Sequence, residues 1–548
     1  MPLLEVKDGR AWPERLLSRL PEWLAAAGAE FLARQRWYGA KGSPIISVEA
    51  LDWALLPDAG QDGAAFAMCL AKVKSAIAAD WYFLPLALVP PDAALPDTAV
   101  VAWIEAAGER RCLGDALHAP AFRRLWLDWL RGHGDLAGRA GIFQARSEPQ
   151  WREPLPSSRP AGVEQSNSSL IYADADARPR LVLKAFRRIA AGVNPDYEMT
   201  RFLSAAGRFP HLATWRGGVE YRRPGEAEPR VLVLAQDFIP NQGDGWIWLL
   251  KKLEAAAAEG EHSPAGAALP ELSRLGEITA AMHLALASDR VSPAFAPRPF
   301  DAAYAASWSR QLSELARNAA GELRLRLPEL GGEVRSLGES LLPALENGAL
   351  RLPAELEGEI ELIRIHGDYH LGQVLRTRAG AEGEDFVVID FEGEPARPPE
   401  ERRRHACALK DVAGMLRSLD YAATAVERKL ASSQPAAPAA NFPAALRAWN
   451  QFARTAFTNG YWQQMTASPA RLVPSAPPGK SPQALAALNA AGQRLQAALD
   501  CFEWEKAVYE LGYELRNRPD WVALPLAGLH RLLQPKTGGW RPGGPARV

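Results

Sequence analysis

Two short segments near the middle of the chain hold residue types that together could transfer a phosphoryl group. The first, Ile365-His366-Gly367-Asp368-Tyr369-His370-Leu371-Gly372-Gln373-Val374-Leu375, places the carboxylate of Asp368 on a glycine-containing loop, with the amide of Gln373 five residues on. The second, Val387-Val388-Ile389-Asp390-Phe391-Glu392-Gly393, sets another carboxylate, Asp390, at the end of a β-branched run. Phosphoryl transfer needs a base to orient a hydroxyl and hard oxygen ligands to hold magnesium between phosphates. Asp368 is the candidate base, and Gln373 and Asp390 are the candidate magnesium ligands. His366 and His370 are four apart, as zinc ligands on a helix can be, but Gly367 and Gly372 argue against that helix and the HExxH glutamate is absent. A tight turn would explain His-Gly-Asp alone, but not the acidic strand end that follows it.

A nucleotide such as ATP needs its own cradle, and the text before these segments offers one. In Leu181-Val182-Leu183-Lys184-Ala185-Phe186 the alternation puts Lys184 on the strand face of Val182 and Phe186, a cation on an apolar wall that suits phosphate pairing. Asn194-Pro195 opens a helix as N-cap and first helical residue, and Glu198 in its first turn is the expected partner of Lys184. The plainer alternative is a snorkelling edge lysine and an acidic residue that merely favours the helix N-terminus. Upstream, Gln165, Ser166, Asn167 and Ser168 stand where a phosphate-binding loop would lie and offer hydroxyls and backbone amides.

The elements that must position these groups divide by composition. Residues 1–146 read as a helix (Leu16 to Leu32), four strands (Ile45 to Leu56, Phe66 to Lys74, Trp81 to Val89, Val100 to Ile104) and an aromatic helix, Phe122 to Leu130, so that one antiparallel sheet with helices on one face is expected. The Pro- and Ser-rich stretch 147–162 reads as a linker, 163–245 as a hairpin-rich nucleotide-binding lobe, 246–535 as a mainly helical lobe with Pro-rich insertions at 434–443 and 468–482, and 536–548 as a flexible tail. Near the C-terminus Lys506, Tyr509 and Tyr513 recur at i, i+3 and i+7 on one helical face. Such a stripe is either half-buried packing or a surface on which tyrosine rings and an ammonium meet a sugar, with Tyr421 and His370 on the near side.

Composition excludes several classes. The 63 Lys plus Arg balance 64 Asp plus Glu, a net charge of -1, which removes any global attraction to nucleic acid or an anionic membrane. The start lacks a signal-peptide apolar core, and the most apolar stretch, Trp81 to Val89, is cut by Pro85 and stopped by Pro90, so no membrane span is expected. Four scattered cysteines form no CxxC pair, which suits a reducing cytoplasm.

The text resembles the bacterial maltokinases, which share the fold of aminoglycoside and eukaryotic-type protein kinases. The resemblance rests on EQSNSSLIY (164–172), LVLKAFRRIAAGVNPDYEM (181–199), HGDYHLGQVLR (366–376), IDFEGEPARPPEERR (389–403), LKDVAGMLRSLDYAA (409–423), FEWEKAVYELGYELRNRPDW (502–521) and RQRWYGAKG (34–42). It implies an α+β, bilobal kinase-like fold with an N-terminal α/β cap domain and a largely helical C-terminal lobe. It further implies ATP and Mg2+ as cofactors, and phosphorylation of maltose at its anomeric hydroxyl to maltose 1-phosphate for α-glucan or glycogen synthesis. In the resemblance Gln373 replaces the commoner asparagine ligand, the helix of Lys506, Tyr509 and Tyr513 contributes to the maltose site, and Tyr369 departs from the usual leucine. Kinases of this architecture act on other sugars, including glucosamine, and such a domain also occurs fused to trehalose synthase, so a separate trehalose synthase is a candidate partner. A catalytically idle scaffold for that partner is the alternative outside catalysis, and the complete set Lys184, Asp368, Gln373 and Asp390 argues against it.

Overall fold

The computed structural model describes every residue except 58–62, 163–165, 259–265, 349, 379–383, 395–396, 434–441, 475–480 and 535–548. Gln165, the greater part of the 434–443 insertion, residues 475–480 of the second insertion and the 536–548 tail therefore lie outside the described residues. The chain forms two units, Met1–Ala206 with Ala213–Pro240, and Gly207–Leu212 with Asn241–Val548.

The first unit holds two sheets. One has the order Leu3–Val6, Val100–Ala106, Glu109–Asp115, Ala79–Val89, Ala65–Ser75, Ile45–Leu55, antiparallel except for the parallel first pair. Helices cover both of its faces, not one as the sequence suggested. Ala65, Ala67, Cys69 and Ala71 pack with Leu16, Leu20 and Leu24 of helix Trp12–Ala33, while Phe66, Met68 and Leu70 pack with Phe122 and Trp126 of helix Pro120–Arg131. Two-sided burial is why Ala65–Ser75 begins as an almost unbroken apolar run.

The second sheet runs Asp135–Ala137, Ile142–Ser147, Trp215–Arg222, Arg230–Asp237, Pro179–Phe186, Asn167–Ala173, Ser157–Pro160. Within 147–162 the side chains of Trp151 and Leu155 are buried and Ser157–Pro160 pairs with Asn167–Ala173, so the stretch read as a linker contributes an edge strand, the place where a sheet tolerates proline. Lys184 lies on an inner strand, opposite Ser169 on one side and Leu234 on the other.

The second unit is largely helical. Helices Leu269–Leu286 and Phe442–Thr466 approach closely at Gly276 and Gly460, where an added Cβ would lie 2.0 Å from the carbonyl oxygens of Phe457 and Ser273. Helix Leu409–Ser433, helix Pro482–Asn517 and a small sheet of Asn241–Asp244, Val374–Thr377 and Phe386–Val388 complete the frame of the site. In that sheet Val374 pairs with Val388, so Gln373, just before one strand, and Asp390, just after the other, emerge at the same open end of the hairpin. No helix among the described residues is long and apolar enough to cross a membrane, and all four cysteines are buried free thiols.

Candidate active site

The loop bearing Asp368 is fixed from beneath by one buried carboxylate. Asp411, in the first turn of helix Leu409–Ser433, accepts hydrogen bonds from the His366 N–H at 2.8 Å and the Gly367 N–H at 2.9 Å, and meets His283 Nε2 at 3.1 Å. Burial would raise its carboxyl, yet the bonds from His283 and Gly367 leave it below the usual carboxylate value. Gly367 takes φ +82°, a left-handed conformation that glycine enters without steric cost. His366 is buried and lies 2.9 Å from the Ile389 carbonyl through Nε2, which must donate because a carbonyl only accepts. Its ring packs on Phe391 and Tyr369 at 5.0 and 5.3 Å between centroids, and Tyr369 itself is buried against Thr279, their hydroxyls 2.9 Å apart. His366 therefore ties the Asp368 loop to the strand end of Asp390.

At that strand end the Ile389 N–H donates to the Gln373 carbonyl at 3.0 Å, and Gln373 Nε2 donates to Asp390 Oδ2 at 3.1 Å. The two residues expected as metal ligands are thus brought together. Asp390 has φ +64°, a conformation that costs most residues energy and that aspartate enters more readily. An amide oxygen and a carboxylate are hard donors, the set that suits Mg2+.

Helix Pro482–Asn517 delivers the cation. Lys506 Nζ donates to Asp368 Oδ1 at 3.1 Å and to Glu394 Oε1 at 2.9 Å, and lies 5.0 Å from the centre of the Tyr509 ring. Arg397 holds the other oxygen of Glu394 at 2.6 Å. Burial alone would raise the Glu394 carboxyl, but Lys506 and Arg397 override it and hold the group down to about 2. Burial works against the Lys506 charge, yet Glu394 and Asp368 raise its pKa. Glu505 is matched in the same way, accepting from Lys410 at 2.7 Å, Arg397 at 3.3 Å and the Trp308 indole at 2.6 Å. Glu394, Arg397 and Lys410 line a cavity of about 150 Å³ together with Tyr304, Trp308 and Gly393, and they also line a smaller one of about 30 Å³ with Asp368, Glu505, Lys506 and Tyr509. His370 Nε2 stands 4.0 Å from Asp368 Oδ2, while its Nδ1 accepts the Gly372 N–H at 3.0 Å, which leaves the proton on Nε2. Burial lowers the His370 pKa, with Asp368 opposing, so the ring is neutral at neutral pH.

The expected tyrosine face divides. Tyr509 lies with Asp368 and Lys506, whereas Tyr421 donates to Glu514 at 3.1 Å and stacks on Trp521 at 6.1 Å, and Tyr513 is exposed with the Arg518 guanidinium 5.4 Å from its ring. Seven residues carry Tyr513 back to nearly the same side of the helix as Lys506 but roughly 10 Å further along its axis, so it lies beyond the reach of Asp368. Sequence reading also missed Glu394, Arg397, Lys410, Glu505 and Asp411. Glu394, two residues past Glu392 in the acidic strand-end text, and Glu505, beside Lys506, were the available signals.

In the first unit Lys184 Nζ donates to Asp196 Oδ2 at 3.0 Å and lies 5.6 Å from the Phe186 ring centre, on the apolar face foreseen. The sequence names Glu198 as the partner of Lys184, and Asp196 of the same helical turn also reaches it. Asn194 caps the helix by accepting the Asp196 and Tyr197 N–H groups at 2.8 and 3.3 Å, which sets Asp196 at the second helical position, where its buried carboxylate meets the lysine. Asn167 and Ser168 belong to strand Asn167–Ala173 opposite Phe186 and Ala185, Ser166 directly precedes it, and Ser168 Oγ accepts from Arg187 at 2.8 Å.

Comparison with known proteins adds three findings. Residues 31–118 match the maltokinase N-terminal cap domain. A glucosamine kinase of Mycolicibacterium smegmatis is 30% identical over 387 residues, 69% of this chain and 80% of that protein, and one of Streptacidiphilus jiangxiensis is 29% identical over 394 residues, 69% and 74% respectively. The solved structure of a glucosamine kinase in complex with glucosamine, ADP and inorganic phosphate superposes with a TM-score of 0.62 at 23% identity, covering 94% of this chain and 100% of that one. The α+β, kinase-like fold with an N-terminal cap and a helical C-terminal region is thereby established.

Proposed function

This chain belongs to the same family of sugar kinases as those glucosamine kinases, and on that premise we propose that it transfers the terminal phosphoryl group of ATP to the anomeric hydroxyl of maltose, giving maltose 1-phosphate for α-glucan or glycogen synthesis. The observation that carries the choice of acceptor is the charge balance beside Asp368. Asp368, Glu394 and Glu505 each already hold a lysine or arginine. An ammonium-bearing sugar would have to displace one of those cations, whereas a neutral disaccharide needs hydroxyl partners and ring faces, which Tyr509, Trp308, Tyr304 and His370 supply. The match of residues 31–118 to a cap domain named for maltokinases points the same way.

In this reading Asp368 orients the acceptor hydroxyl and takes its proton, with Lys506 fixing the carboxylate and His370 donating from Nε2 toward the sugar rim. Gln373 and Asp390 would hold Mg2+, which neutralises charge on the phosphates when bound. Lys184 would pair with the phosphates of ATP, Asp196 and Glu198 would orient it, and the segment of Gln165, Ser166, Asn167 and Ser168 would cradle them. The proposal keeps the cap at 1–146, the nucleotide lobe at 163–245 and the acceptor lobe at 246–535, a cytoplasmic setting, and a separate trehalose synthase as partner. The relatives' names favour a second acceptor, glucosamine. Phosphorus NMR of the product formed from maltose tests the reading: a glycosidic, acid-labile 1-phosphate is expected, and a 6-phosphate or no product would refute it.

A further inference from the structure

Sharing part of its wall with the cavity of about 150 Å³ is a second one, of about 380 Å³, with a one-signed lining. Arg298, Arg364, Arg403, Arg404 and His405 form its polar wall, and none of its described lining residues is acidic. Its volume falls within the range of small-ligand sites, roughly 300–1,000 Å³. Four guanidinium groups around one concavity, that of Arg364 buried and those of Arg298 and Arg404 exposed at the rim, create a positive potential. His405 reports that potential: burial first, then the neighbouring Arg298 and Arg364 charges, push it down to about 4, so it stays neutral in the presence of the arginines. The buried Nε2 of this neutral ring has no hydrogen-bond partner.

The cavity is also wired to the catalytic loop. Arg364 is buried two residues before His366, and its neighbour Ile363 exchanges backbone hydrogen bonds with Ala406 at 3.0 and 2.7 Å, which fastens the Arg403–His405 segment beside the strand that enters the Asp368 loop. Tyr304, Arg404 and His405 line both cavities.

We infer that this cavity is an anion-binding site for a phosphate-class ligand, either inorganic phosphate or a sugar phosphate, and that its occupancy is felt at the Asp368 loop. Guanidinium forks match phosphate oxygens in a bidentate manner, and such charge-assisted bonds are about twice as strong as neutral ones. The site stands whichever sugar the enzyme phosphorylates.

The test is calorimetric titration of the full chain in EDTA, without nucleotide, using inorganic phosphate, glucose 1-phosphate and glucose. Saturable binding of phosphate is expected in wild type, and tighter binding of glucose 1-phosphate would identify a sugar phosphate as the ligand. Arg298→Gln and, separately, Arg403→Gln should each weaken phosphate about tenfold, the scale of one charge-assisted bond. Both should keep wild-type turnover when no phosphate is added. Asp390→Ala should leave phosphate binding unchanged, which separates this site from the metal centre. The inference is overturned if wild type shows no saturable phosphate binding in the millimolar range, if both arginine variants bind phosphate as wild type does, or if Asp390→Ala abolishes the binding.

Discussion

Replacing Lys506 by methionine keeps the length of the side chain and removes the charge that Asp368 and Glu394 share. The Glu394 carboxyl is carried from the usual 4.5 to about 2, against burial and by Lys506 together with Arg397. At about 1.4 kcal/mol per pH unit that displacement amounts to roughly 3 kcal/mol of stability. Arg397 stays in place at 2.6 Å, so the variant should lose about half of it, with a smaller addition from Asp368. We therefore expect Lys506→Met to unfold with about 2 kcal/mol less stability at neutral pH. The sign of its pH dependence follows. A carboxylate with a depressed folded pKa stabilises the fold above its unfolded value, and that stabilisation fades as pH falls through the folded one. The gap between wild type and variant should be full above pH 4.5 and should close as pH falls toward 2. Turnover should fall about tenfold, less than the loss on removing Asp368 itself, because Lys506 positions the base. Lys506→Arg should recover part of both losses. Denaturant melts across pH, with kcat and KM measured in parallel, provide the check. A variant with wild-type stability, wild-type kcat and the same acid limb would refute the reasoning.

Four further outcomes are expected. Asp368→Asn should fold normally, bind nucleotide, and lose at least ~100-fold in kcat, measured by ADP release. Asp390→Ala should abolish magnesium-dependent turnover while Gln373→Ala is milder, because the amide is a neutral ligand; magnesium titrations of rate distinguish them. Asp411→Ala strips partners from the buried His366 and Gly367 N–H groups and from His283, and should cost roughly 3–5 kcal/mol in a denaturant melt. Tyr509→Phe should raise KM for maltose with little change for ATP, whereas Tyr513→Phe should leave both constants unchanged.

What could be read from the text was what is local. The Val182, Lys184 and Phe186 alternation, the Asn194 cap and the hairpin of Ser169 to Ala173 with Arg180 to Phe186 are set by neighbours in sequence, and each lies within two residues of where the pattern put it, the first strand starting two residues earlier. The pairing of Gln373 with Asp390 was legible because a short hairpin joins them. Contacts across long stretches of chain were not. Lys506 meets Asp368 across 138 residues, and a helical stripe says which residues share a face without saying what faces them. Tyr421 and Tyr513 were assigned to the sugar side for want of that information, and they meet Glu514, Trp521 and Arg518 instead. Asp196 was not foreseen beside Glu198 because the kinase comparison names one acidic residue of that helical turn, while packing brings the buried carboxylate of Asp196 to Lys184 as well. Trp151 and Leu155 are buried in a Pro-rich stretch because an edge strand can follow prolines that an inner strand could not accept.

The account's central claim is that the cations beside Asp368 reserve the acceptor site for a neutral sugar. A coupled ADP-release assay with maltose, glucose, glucosamine and trehalose, run on the full chain with ATP and Mg2+, tests it most directly. The highest kcat/KM on maltose, with glucosamine at least tenfold poorer, is the predicted result. Preferred turnover of glucosamine, with maltose inert, would contradict it.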